Sequence, residues 1–100
     1  MTADLIIATV IQRMDSAPPG DDLAAKLKEA LRQLGAETLP DLDKKEAAVD
    51  VGKVYEEMGK PAPEPGRVRR LLDRVAAVSK SVAETLSSAK AITDLLGLTK

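Results

Sequence analysis

Histidine and cysteine are both absent from these 100 residues, and Tyr55 is the one aromatic side chain. Without cysteine there is no thiolate nucleophile, no disulfide framework and no Cys/His zinc site. Without histidine there is no imidazole to act as a general base near neutral pH. The lack of tryptophan and phenylalanine leaves Leu, Val, Ile and Ala to build the core, a set suited to closely packed helices. The alternating aromatic and β-branched runs of an all-β chain are missing. Neither sign of charge is in excess: fifteen basic and sixteen acidic residues leave −1, so no global field attracts nucleic acid or anionic lipid. No run approaches the ~20 apolar residues that span a bilayer. Asp4 precedes the first apolar run and Arg13 interrupts its end, a pattern unlike a secretory leader. The expectation is a soluble, cytoplasmic, all-α protein of one domain, non-enzymatic and without cofactor or metal.

What is present is helical periodicity. Thr2 can cap a helix over residues 2–14 with Ile7, Val10, Ile11 and Met14 on one face. The same run alternates as Leu5, Ile7, Thr9 and Ile11, as a strand would; helix is favoured because a lone strand has no partner. Ser16-Ala17-Pro18-Pro19-Gly20 is a break. Asp21 or Asp22 then caps a helix over 22–34, with Leu23, Leu27, Ala30, Leu31 and Leu34 facing inward and Gly35 at its end. Residues 39–42 read as a loop. Asp43-Lys44-Lys45-Glu46 has capping-box spacing and opens a helix over 44–58, with Ala47, Val51, Val54, Tyr55 and Met58 as its buried stripe. Gly52 weakens that helix or marks a close crossing, and Gly59 ends it. Residues 1–60 thus hold three short helices. Residues 61–66 form a proline-rich hinge.

Residues 67–97 read as one long amphipathic helix. Val68, Leu71, Val75, Val78, Val82, Thr85, Ala89, Ile92 and Leu96 recur in alternating steps of three and four. About 30 helical residues span roughly 45 Å, whereas a compact chain of this length has a radius of gyration near 13 Å. Such a helix must bend, with Ser79–Ser81 as the place, or project and find a partner. Ser79, Ala83, Ser87 and Ala91 make a four-residue row of small side chains that admits a second helix. The candidate contact surface is Val75, Val78, Ser79, Val82, Ala83, Leu86, Ser87, Ala91, Ile92 and Leu96, facing either the same chain or a second copy.

Arg67, Arg69, Arg70 and Arg74 form a basic cluster that could contact phosphate. Cations at a helix N-terminus oppose the macrodipole, and no aromatic side chain interleaves for base stacking. Helix-turn-helix spacing around 44–75 is spoiled by a long linker with three prolines. Glu46, Asp50 and Lys53 sit at helical spacing as ordinary surface pairs. Glu56 and Glu57 adjoin but have no apolar setting that would raise a pKa. Charge divides across the hinge. Residues 1–60 hold eight basic and twelve acidic side chains, −4, and residues 61–100 hold seven and four, +3. Opposite signs favour docking of the second part on the first or on a neighbour.

The segment PAPEPGRVRRLLDRVAAVSKSVAETLSSAKAITDLLG, with LPDLDKKEAAVDVGKVYEEMGKP before it, resembles the small all-helical effector-associated and adaptor modules of actinobacterial conflict systems. The resemblance covers about residues 39–97. It implies homotypic helical contacts that tether effectors or sensors, and it carries over no catalytic residues. The reading is therefore a protein–protein interaction module, oligomerising or adaptor-like, in a bacterial defence or regulatory system, with a homo-oligomer or protein partner. A DNA-associated regulator using Arg67–Arg74 stands second. A membrane-surface protein acting through residues 75–99 stands third.

Overall fold

Thr2 opens the first helix, its hydroxyl oxygen accepting from the Leu5 N–H at 3.3 Å. In the computed structural model, which describes residues 2–16 and 21–97, this helix is α1, Ala3–Met14. Ala3, Ile7, Val10 and Met14 are its buried residues, a spacing of three and four that only a helix places on one face. Leu5, which a strand would have put beside Ile7, is exposed. The break expected at 17–20 lies outside the described residues. Asp21 caps α2, Asp22–Ala36, by accepting from the Leu23 and Ala24 N–H groups. This helix runs through Gly35, and Glu37 is its C-cap.

The third helix, α3, is Asp41–Met58 and starts three residues before the capping-box spacing suggested. Pro40 stands at its N-cap with no side-chain cap bond, because the proline ring carries no acceptor. Asp41 instead accepts the N–H of Ala3 at 3.1 Å and pairs with Lys45 at 3.2 Å. That bond sets the start of α1 beside the start of α3, and Arg13 meets Glu56 at the other end, so the two helices run parallel. Their crossing is close at Gly52: a Cβ there would stand 3.4 Å from a Val10 methyl.

Residues 67–97 do not form one helix. They divide into α4, Pro65–Val78, α5, Lys80–Ser87, and α6, Lys90–Leu96. Pro65 occupies the first turn of α4, where its missing N–H costs nothing. At Ser79 the backbone is extended, with φ −152° and ψ 112°. The Ser79 N–H closes α4 on the Val75 carbonyl at 2.8 Å, and its hydroxyl oxygen caps α5 by accepting from Val82 N–H. The same hydroxyl donates to Glu37 at the end of α2. At the second break Lys90 N–H donates to Asp22 Oδ2 at 2.9 Å, and the Thr93 hydroxyl donates to the Ser87 and Ala89 carbonyls. Gly97 ends α6 in the left-handed region, φ 68°, where a glycine is at ease.

The heptad seam is real, but it wraps around the core. Val82, Leu86, Ala89 and Ile92 are fully buried. Burying a Val, Leu or Ile side chain stabilises by about 1.5–3 kcal/mol, so folding back Val82, Leu86 and Ile92 outweighs two helix interruptions whose caps are supplied locally. A straight helix of roughly 45 Å would also overrun a molecule measuring 35 × 28 × 18 Å with a radius of gyration of 12.5 Å. The chain is all-helical, with six helices and no strand among the described residues, around one shared core. The expectation of three short helices and one long one is corrected accordingly. α3 packs on α1, α2 and α4, and α2 also carries α5 and α6.

Candidate functional site

The surface expected from the long helix is largely consumed inside the chain. Val75, Ser79, Val82, Ala83, Leu86 and Ile92 are buried in the core or at the α4–α5 corner. Val78, Ser87 and Leu96 are half-buried. Ala91 is exposed. The row Ser79, Ala83, Ser87, Ala91 therefore does not lie on one face, because the helix it needs is interrupted at 79 and again at 88–89. The uncovered length that argued for a partner is absent.

The arginine cluster is divided between two sides of α4. Arg67 and Arg74 face α3, where Arg67 Nε lies 3.2 Å from Glu57 Oε1 and Arg74 Nε donates to Asp50 Oδ2 at 3.0 Å. Arg70 Nε reaches the Gly66 carbonyl at 3.4 Å. Arg69 lies on the opposite side of α4 by helical spacing and is exposed. Asp50 is thus no partner of Lys53 at the surface: it is buried, and its contact crosses to α4. Glu57 is buried too, accepting from the Glu64 N–H at 3.0 Å and the Lys60 ammonium at 2.9 Å. The backbone bond from Glu64, then the Lys60 bond and the nearby Arg67 charge, hold its carboxyl below the ordinary 4.5. Asp50 in turn pushes the Arg74 pKa up. Asp41 is held below its ordinary 3.8, first by the Ala3 N–H and then by Lys45.

The α3–α4 pairing has a register that the sequence carried unread. Asp50 and Glu57 are seven residues apart, as are Arg67 and Arg74. An antiparallel hairpin therefore matches 57 with 67 and 50 with 74 through one alignment. The signal was two acids inside the apolar stripe of α3, flanking Val54 at helical spacing.

Among the concave surfaces of the described residues, one of about 450 Å³ lies by Asp21, Leu23, Tyr55 and Met58, and two others flank α3 at Lys53. Between α1 and α3 runs a groove of about 320 Å³ lined by Ile6, Thr9, Val10, Val49 and Gly52, with Arg13, Lys53 and Glu56 on its rim. The missing side chain at Gly52 deepens its floor. Val49 is 42% exposed there, and Leu42, two turns earlier on the same stripe of α3, is 64% exposed. Arg13 and Glu56 pair across one end at 3.4 Å, whereas Lys53 has no ion pair among the described residues. Between α3 and α4 is a smaller cleft, about 180 Å³, lined by Asp50, Lys53, Arg67, Arg70, Leu71 and Arg74. Lys53 borders both. Neither surface places a nucleophile beside a base among the described residues. No helix among the described residues is long and apolar enough to cross a membrane.

Comparison of the chain with protein-family models, with curated proteins and with solved structures finds no match.

Proposed function

We propose that this chain is a protein–protein interaction module, an adaptor whose α1–α3 groove receives an amphipathic helix from a partner. The observation that carries the reading is the groove itself: an apolar floor of Ile6, Val10, Val49 and Gly52 between two parallel helices, left open. Grooves of this kind take the apolar face of a helix, with anchors at i, i+3/i+4 and i+7. Exposed apolar positions of the size of Val49 and Leu42 on one stripe have an evident use when covered. Charge selects the occupant. Arg13 and Glu56 neutralise each other on the rim, which leaves Lys53 as the rim cation with no ion pair among the described residues and favours a helix with acidic flanks. The setting in bacterial defence or regulation rests on the resemblance of residues 39–97. The DNA-regulator reading has less support, since Arg69 lies on the far side of α4 from Arg67 and Arg74 and the cluster does not form one surface. The membrane-surface reading needs the apolar side chains of residues 80–96 outside, and Val82, Leu86 and Ile92 are turned inward.

The test is a titration with a synthetic amphipathic helix, Leu-faced and Glu-flanked, followed by amide chemical shifts. The expected outcome is saturable binding tighter than about 1 mM, mapped to Val10, Val49 and Lys53 and lost in Val49→Glu. Equal binding of a Lys-flanked version would refute the charge argument. Light scattering over a dilution series covers the other occupant: a mass above 10.6 kDa that Val49→Glu returns to 10.6 kDa makes the groove a contact between copies. No peptide binding and no self-association up to about 100 µM would overturn the proposal.

A further inference from the structure

The α3–α4 cleft gathers four cations and one carboxylate in a space of about 180 Å³. Two of those cations are anchored from behind. The carboxylates of Asp50 and Glu57 are buried, whereas the arginines they hold are exposed, 63% for Arg74 and 54% for Arg67. Each contact is made through Nε. The terminal amino groups of both guanidiniums carry no hydrogen bond to the protein among the described residues. A guanidinium held by one edge has already lost much of its rotamer freedom, so engaging a ligand with its other edge costs less.

Pinning α4 onto α3 explains Arg67 and Arg74. It does not explain Lys53 and Arg70, which reach the same cleft with no ion pair among the described residues. Arg67, Arg70 and Arg74 are at i, i+3 and i+7 on α4, one face of the helix, and Lys53 approaches from the facing helix. Leu71 supplies an apolar wall. Lys53 faces the three arginines across a shallow cleft of about 180 Å³, an arrangement that converges on one compact anion better than on the evenly spaced phosphates of a duplex. Several donors from planar forks and one ammonium match the oxygens of a phosphoryl group, with charge-assisted bonds that a monovalent halide cannot satisfy in the same geometry.

We propose that the α3–α4 cleft binds a phosphoryl group, gripped by Lys53 and Arg70 and by the free edges of Arg67 and Arg74. The cleft shares Lys53 with the α1–α3 groove, and Arg70, which belongs to the cleft and not to the groove, tells the two apart.

The experiment is an isothermal titration of the full chain with inorganic phosphate, with tripolyphosphate, with sulfate and with a duplex DNA of about 20 base pairs, at matched ionic strength. The two phosphate probes separate a single phosphoryl group from a chain of them. One-to-one binding of phosphate or tripolyphosphate is expected from multidentate recognition, with sulfate, which presents the same tetrahedral oxygens, binding within about tenfold of phosphate. Arg70→Gln and Lys53→Gln each remove one charge-assisted contact and should weaken it roughly fivefold or more. Both leave the Asp50 and Glu57 pairs in place, and circular dichroism confirms that they fold. Arg69→Gln, on the far side of α4, should leave binding within about twofold. Equal weakening by Arg69→Gln and Arg70→Gln would mean diffuse surface charge and would overturn the site. So would the absence of saturable phosphate or tripolyphosphate binding, or duplex binding tighter than tripolyphosphate with a salt slope of several phosphates.

Discussion

Ser79 decides whether the C-terminal third is one helix or a folded-back set, and replacing it with alanine distinguishes the two by the sign of the effect. In a continuous helix Ser79→Ala would stabilise by a few tenths of a kcal/mol, because alanine is the better helix former. At the observed corner it must destabilise. The variant loses the N-cap that the Ser79 hydroxyl provides to Val82 N–H, worth about 1 kcal/mol. It also loses the bond from that hydroxyl to Glu37. Glu37 is half-buried, so water recovers part of this, and about 0.5–1 kcal/mol remains. The sum is about 1.5–2 kcal/mol. With an unfolding entropy of roughly 0.2 kcal/mol/K for a chain of this size, the melting temperature should fall by about 7–10 °C. Thermal unfolding followed by circular dichroism at 222 nm measures it. Ser79→Thr keeps a hydroxyl at an extended backbone position that suits a β-branched residue, and it should recover most of the loss. An unchanged or raised melting temperature for Ser79→Ala would refute the corner.

The small-residue row should come apart in the same assay. Ala83→Leu overfills a buried position and should cost about 1–3 kcal/mol, whereas Ala91→Leu, at an exposed position, should stay within about 0.5 kcal/mol; equal effects would contradict the break between them. Acid should loosen the α3–α4 link. The Glu57 carboxyl is held below its ordinary 4.5 in the folded chain, so its contribution is complete above that value and is lost as pH falls through the lower folded value. Melting temperature should therefore drop below about pH 4.5, and less steeply in Glu57→Gln; an unchanged slope in the variant would assign the acid sensitivity to other groups.

Much of the fold was legible because local chemistry enforces it. The caps at Thr2 and Asp21, the apolar stripes of α1 and α2, and the stop at Gly59 need only their own neighbours in sequence. The start of α3 was misplaced because Asp41, which looked like a loop residue, is engaged by Ala3 N–H from 38 residues away. Asp50 and Glu57 were read as surface charge because nothing beside them in the chain reveals that Arg74 and Arg67 will cover them.

The sequence by itself determined the all-helical class, the composition of the core and the exclusion of cysteine and histidine chemistry, since these follow from residue types and from periods of three and four. It also marked the seam from Val68 to Leu96, most of which is buried. Only the tertiary structure decided what buries it. A heptad pattern states which side chains leave water, and it is equally satisfied by a partner helix or by the rest of the chain. Here Ser79 and Ala89 interrupt the helix, where Glu37 accepts the Ser79 hydroxyl and Asp22 accepts the Lys90 N–H, and the apolar side chains close on their own chain. The open surfaces then fall on either side of α3, where no local pattern marked them.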